Sequence, residues 1–306
     1  MPHPGLRRAV KSLEHRGIAA TYRLHDRLLD NRQSRRLHAA ARPELDALQR
    51  DVVRRLQVEG YATLEFSELL STATWEAVES LGRRFIADTE QAIASDTTTL
   101  KRRAGKEFVI RAHSWDGAHL TLEDPWLAAC LSDRLLGIAN TYLEMRSKLS
   151  YLDLWYTLPQ PEDAERAASQ IWHRDFDDRH LLKAFLYLVD VDERTGPFEY
   201  VPGSQPGGRY ADLWAWKPLG VRRISDEELG KRISSDQIAT FTAPRGTLIL
   251  CNTSGFHRGG FSTSTPRVLA TATYCSPASL RALSVRNYTL TSDLAELSPS
   301  ARYAIS

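Results

Sequence analysis

Apolar residues fall into two textures along the chain, helical in the first half and strand-like in the second. Between Pro43 and Gly60, Leu45, Leu48, Val52, Val53 and Leu56 recur at helical spacing, which predicts a helix ending at the glycine. Residues 61–66 read as a short strand. From Trp75 to Ile93 the helical period returns, with Trp75, Val78, Leu81, Phe85 and Ile86 on one side. Residues 106–112 read as a strand. Residues 125–145 read as one or two helices, with Trp126, Leu127, Leu131, Leu135, Leu136 and Ile138 as apolar contacts.

From about Leu149 short β-rich runs alternate with turn signals. The runs are 149–158, 169–176, 182–191, 198–202, 238–242, 247–252, 268–276 and 283–290. Gly196-Pro197, Pro202-Gly203, Pro206-Gly207-Gly208 and Pro244-Arg245-Gly246 punctuate them. Many short strands in so short a stretch suit a double-stranded jelly roll of the cupin type. The expected fold class is therefore α+β with a mainly β core at about 149–290 and a helical N-terminal layer packed on one sheet. Residues 43–306 are expected to form the main domain, and residues 1–42 a helical extension, set apart or not.

Within the β-rich part, Ile171-Trp172-His173-Arg174-Asp175-Phe176 carries the first candidate chemistry. Alternation sends Trp172, Arg174 and Phe176 one way and His173 and Asp175 the other. Alone, such a pair is as well explained by a hydrogen bond at the surface. His257 follows the turn after the apolar run Thr247-Leu248-Ile249-Leu250-Cys251-Asn252, where a buried structural histidine would also be ordinary. Arg267 opens the apolar run Val268-Leu269-Ala270. A buried guanidinium needs an anion, which an internal carboxylate could also supply. Two imidazoles and one carboxylate on one face leave three positions of an octahedron open, the arrangement suited to Fe(II). A guanidinium ten residues on could hold the far carboxylate of 2-oxoglutarate.

These residues carry a family resemblance. The segment from about Gly60 to Leu290 resembles the phytanoyl-CoA dioxygenase family of Fe(II)/2-oxoglutarate oxygenases. The matching pieces are Trp172-His173-Arg174-Asp175, Leu186-Tyr187-Leu188-Val189-Asp190-Val191-Asp192-Glu193, Gly196-Pro197-Phe198-Glu199-Tyr200-Val201-Pro202-Gly203-Ser204, His257 and Arg267. The Trp-His-x-Asp-Phe form also looks like the ectoine hydroxylase branch. The resemblance implies that His173, Asp175 and His257 bind iron, that Arg267 binds the C5 carboxylate of 2-oxoglutarate, and that O2 is the second cosubstrate. Phe185 matches the place of an aromatic residue flanking the cosubstrate. A lysine common on the preceding strand is Thr157 here, which makes Thr157 and Gln170 the candidates for a second contact. The usual histidine after Pro-Gly-Ser is Gln205. Halogenating relatives have a small residue in place of the carboxylate, so Asp175 points to hydroxylation or another oxidation without halide.

The implied activity is hydroxylation of an unactivated C–H in a small polar or amphipathic metabolite, natural-product biosynthesis being one setting. Desaturation, epoxidation or cyclisation on the same scaffold are alternatives, as are a non-enzymatic cupin-like metal-binding protein and a metal hydrolase. Arg111, His113, Asp177 and Trp155 are candidate substrate contacts. Trp214 and Trp216 fit an apolar pocket wall or the core equally, and the basic run 101–106 fits either a lid or a solvated loop.

Composition narrows the partners. The 306 residues are 42% hydrophobic and 25% charged, with a net charge of +2. That balance argues against nucleic acid or an anionic membrane as the main partner and leaves a small molecule. Arg7, Arg8, Arg16, Arg23, Arg27, Arg32, Arg35 and Arg36 crowd the first forty residues, as a solvated helical face or a docking surface for an acidic partner. Cys130, Cys251 and Cys275 have no metal-type spacing, and their odd count suits buried free thiols in a reducing cytosol. With no apolar leader and no spanning segment, the expected location is cytoplasmic.

Overall fold

The computed structural model describes residues 17, 20, 23–24, 26–95, 100, 102–103, 105–113, 118–214, 216, 223–279, 283, 286–291 and 293–306. Arg7, Arg8, Arg16, Lys101 and Ala104 lie outside the described residues. Two antiparallel sheets face each other. The larger runs β1 (Tyr61–Glu65), β11 (Thr247–Cys251), β7 (Leu181–Tyr187), β13 (Arg267–Cys275), β5 (Lys148–Thr157), β3 (Lys106–Arg111) and β2 (Arg102–Arg103). The smaller runs β10 (Ala239–Phe241), β8 (Phe198–Tyr200), β12 (His257–Arg258), β6 (Trp172–His173) and β9 (Arg223–Ile224). This is the jelly-roll architecture, with helices on the outer face of the larger sheet.

Period-two alternation builds both layers. Leu182, Ala184 and Leu186 of β7, with Val268, Ala270, Ala272 and Tyr274 of β13, point outward into the helix-packed core. The other parity, Phe185, Tyr187, Ile249 and Leu269, meets Phe198, Tyr200 and Phe241 of the smaller sheet. Each large apolar side chain buried this way stabilises the fold by about 1.5–3 kcal/mol. Three helices form much of the outer layer: Ala47–Glu59, Thr72–Ala94 and Asp133–Leu143. The first begins with a capping box between Asp46 and Gln49 and stops at Gly60, whose φ is +83°. A Cβ at Gly60 would also lie 2.4 Å from the Tyr200 hydroxyl, so the helix stop doubles as a close approach to the smaller sheet.

Two runs depart from the sequence pattern, and a third reading is resolved. The run 169–176 is mostly irregular: a 3-10 turn at Ala168–Gln170, with Ala168 at φ +50°, precedes a strand of only two residues. The run 283–290 supplies β14 (Tyr288–Leu290), which pairs in parallel with β4 (Ala118–Leu120) outside the two main sheets. The helical reading of 125–145 resolves into two helices, Pro125–Cys130 and Asp133–Leu143.

The helix Asp30–Ala40 buries a polar stripe of Asn31, Ser34 and His38 while Arg32 and Arg36 point outward. Asn31 Oδ1 accepts from the Ala278 amide at 3.0 Å, and the Ser34 hydroxyl donates to the Arg146 carbonyl at 2.6 Å. Asp26 pairs with His180 at 3.1 Å. Among the described residues no helix is long and apolar enough to cross a membrane.

All three cysteines are buried and free, and burial pushes each thiol well above its usual range. The native chain should therefore show no thiol reactive towards a disulfide reagent such as DTNB at neutral pH, and three after denaturation. Rapid labelling of a native thiol would contradict this burial.

Candidate metal centre

His173 and His257 are register partners on neighbouring strands of the smaller sheet, β6 and β12, with ring centroids 4.3 Å apart. The same local device aims both rings. Nδ1 of His173 lies 2.8 Å from the carbonyl of Ile171, and Nδ1 of His257 lies 3.0 Å from the carbonyl of Gly255. Each carbonyl, two residues back along its own chain, favours the proton on Nδ1 and leaves the Nε2 lone pair facing the site.

Asp175 lies beyond the end of β6, so alternation along a strand does not place it. Its amide donates to the Thr253 carbonyl at 2.8 Å and its carbonyl accepts from Trp216 Nε1 at 2.7 Å. Held at both backbone ends, its carboxylate reaches the two imidazoles, with Oδ1 3.8 Å from His173 Nε2 and Oδ2 3.7 Å from His257 Nε2. One ligand atom from each of the three residues lies within 4.8 Å of the others.

Arg174, between His173 and Asp175 in sequence, turns the other way. Its guanidinium donates to the carbonyls of Ser204 at 2.6 Å, Ser254 at 2.7 Å and Leu213 at 3.0 Å, and stacks 4.3 Å over Phe256. It ties the segment bearing His173 and Asp175 to the turn that precedes His257.

Lys183, on β7, was not anticipated from the sequence. Its ammonium sits 2.5 Å from Asp175 Oδ2, both side chains nearly buried. Burial alone would raise the Asp175 carboxyl, but the Lys183 ammonium, with His257 and His173, carries it well below the usual carboxylate range. Burial would lower Lys183, and Asp175 more than offsets it, so the ammonium is held above its ordinary value. Burial lowers both imidazoles, the neutral state that a metal requires.

One cavity joins these groups to Arg267. Lys106, Phe108, Val109, Arg111, Trp155, Ser169, Gln170, Lys183, Phe185, Phe198, Gly259, Gly260, Arg267 and Leu269 line it together with the triad. Arg267 is 6% exposed, and its Nη1 donates to the Gly196 carbonyl. Its Nε is buried with no hydrogen-bond partner among the described residues. Gly259 faces the same guanidinium, where a Cβ would sit in ordinary contact, 3.4 Å from Nη2.

The other candidate residues divide. Gln170, Phe185, Trp155 and Arg111 line the cavity, and the Arg111 guanidinium lies 5.6 Å over the Trp155 ring. Gln170 is also engaged with Gln160 at 2.6 Å. Thr157 is the register partner of Arg267, fully buried, and is not among the lining residues. His113 lines a separate cavity under the helix Thr72–Ala94, its ring 3.1 Å from the Leu152 carbonyl. Asp177 lies outside the cavity lining, and its carbonyl accepts from Ser279 at 2.8 Å. Trp214 packs edge-on to Phe256 in the core beneath the smaller sheet. Lys106, the end of the basic run 101–106, lines the cavity, and so does Ser169, which was not singled out in the sequence.

The arrangement places three side chains that could hold a metal ion beside a cavity that the Arg267 guanidinium also lines. No protein-family model matches the chain, and no curated protein matches it either. Solved structures do. EctD from S. alaskensis, in the crystal with 2-oxoglutarate and 5-hydroxyectoine, is 18% identical, with a TM-score of 0.50 over 77% of this chain and 77% of that one. AviO1 from Streptomyces viridochromogenes Tue57 is 19% identical, with a TM-score of 0.50 over 78% of this chain and 98% of that one. At these identities the likeness is one of fold.

Proposed function

We infer that the chain is an Fe(II)- and 2-oxoglutarate-dependent oxygenase that hydroxylates an unactivated C–H of a small polar or amphipathic metabolite. The observation that carries the reading is the buried, unpartnered Nε of Arg267 in the same cavity as the His173, Asp175 and His257 triad. A buried guanidinium edge without a partner is costly, and a dicarboxylate held at one end by metal would satisfy it at the other. That EctD was solved with 2-oxoglutarate supports the same cosubstrate here.

His173, Asp175 and His257 hold the iron, which with 2-oxoglutarate and O2 supplies an oxidant strong enough for an unactivated C–H. Arg267 grips the far carboxylate, with Ser169 and Gln170 on the cavity wall. Phe185, Phe198 and Trp155 form an apolar wall that keeps water from the site. Lys106 and Arg111 add cationic lining, so the cavity suits a molecule with both polar and apolar parts. The intact carboxylate of Asp175 occupies the place that a halide would need, which favours hydroxylation.

Anaerobic mixing with Fe(II) and 2-oxoglutarate should give the weak visible charge-transfer band of the chelate. Arg267→Ala should weaken 2-oxoglutarate binding by roughly 30- to 3,000-fold, the equivalent of about 2–5 kcal/mol, and leave Fe(II) binding nearly unchanged. Absence of the band, with Arg267→Ala indifferent to 2-oxoglutarate, would sink this reading.

A further inference from the structure

We propose that Lys183 is a positioning residue that holds Asp175 to one metal-facing oxygen. The proposal rests on the triad being a metal site as read above. Lys183 Nζ lies 2.5 Å from Asp175 Oδ2, closer than either imidazole comes to that carboxylate. Oδ1 faces His173 Nε2 at 3.8 Å, and Oδ2, the oxygen that the ammonium holds, lies 3.7 Å from His257 Nε2. Lys183 reaches the site from the larger sheet, opposite Cys251 in the register of β7 and β11, whereas both histidines come from the smaller sheet. The lysine therefore approaches the carboxylate from the strand layer that does not carry the histidines.

The consequence follows from counting positions. A six-coordinate metal held by two imidazoles and one oxygen keeps three exchangeable positions. A carboxylate binding through both oxygens would take a fourth, and a two-point cosubstrate would then fill the site. An ammonium bonded to Oδ2 competes for that oxygen and so opposes two-point binding by the carboxylate. It also places a positive charge beside the metal, which opposes metal binding. Removing Lys183 should thus tighten the metal while closing a position. A role in packing alone predicts the reverse sign, since a loosened triad binds metal more weakly.

Mn(II) is the probe, and water-proton relaxation counts the exchangeable waters bound to it. The native chain should carry three waters, falling to one when 2-oxoglutarate is added. Lys183→Met should carry two, falling to none, and should bind Mn(II) about tenfold more tightly. Lys183→Arg keeps a cationic donor and should hold three. Should Lys183→Met not fold, Lys183→Ala with and without added propylammonium gives the same comparison, three waters against two. Three waters in Lys183→Met or in unrescued Lys183→Ala, or weaker Mn(II) binding, would overturn the proposal. Failure of 2-oxoglutarate to displace water from the native site would instead count against the cosubstrate reading, and the water count with Mn(II) alone would still judge the lysine.

Discussion

Asp175→Ala should leave the chain without a functional metal site and about 3–5 kcal/mol less stable. The metal loss follows from removing the charged ligand of three. The instability follows from Lys183, whose side chain is 16% exposed and would lose its hydrogen-bonded anion. Breaking a buried pair from one side typically costs that much, because the remaining charge stays desolvated. The double variant Asp175→Ala with Lys183→Met should recover most of the stability and none of the metal binding, a coupling that a double-mutant cycle in urea would measure. Acid and base behaviour follow from the two shifts. The carboxyl is held below its unfolded value, so its contribution is full above about pH 4 and is lost as pH falls through the depressed range. The ammonium is held above its unfolded value, so its contribution is full below about pH 10 and is lost as pH rises through the raised range. At neutral pH both are present, and the pair is at full strength. Retained stability in Asp175→Ala would show that the ion pair contributes nothing.

The second large effect is expected at Arg174, which touches no candidate substrate position. Arg174→Met should lower Tm by roughly 10 °C. Methionine keeps much of the apolar stem and the contact with Phe256, but the carbonyls of Ser204, Ser254 and Leu213 lose a cationic donor in a buried setting. A hydrogen bond to a charged group is worth about 1.5–3 kcal/mol, and two or three are lost together. The variant should also bind metal more weakly, because the chain beside His173 and Asp175 is no longer tied to the turn before His257. Scanning calorimetry and a metal titration check both, and a Tm within about 2 °C of the native chain would refute the bracing role.

The centre of the larger sheet was legible in the sequence because β5, β7 and β13 are long and mostly buried on both faces. Val268-Leu269-Ala270 and Leu186-Tyr187-Leu188 sit where the apolar runs lie. The smaller sheet was legible only in part: β8 and β10 fall within the runs 198–202 and 238–242, whereas β9 and β12 fall in none. β6 and β12 have two residues each, too few for a period, and Arg174 adds to their short ladder by bonding to backbone carbonyls of neighbouring loops. The alternation argument put His173 and Asp175 on one side and the structure brings them together, yet Asp175 arrives through bonds to Thr253 and Trp216. Lys183 could have been found. It interrupts Leu181-Leu182-Lys183-Ala184-Phe185-Leu186 as Arg267 heads its own apolar run, and the same question about a buried cation applied to both. His113 fell into another cavity because the chain leaves β3 at Arg111, and its amide and ring then bond to β5.

The pairing of β6 with β12 has a thermodynamic side. Among the described residues these strands meet at one register position, and that position is His173 with His257. Closing the strands and presenting two nitrogens to a cation are thus the same event. Any ion that settles between those rings acts as a staple across the weakest seam of the smaller sheet. Its free concentration would then enter the fold's own equilibrium by mass action, and stability measured with and without a chelator would differ by RT ln(1 + c/Kd), where c is the concentration of the free ion.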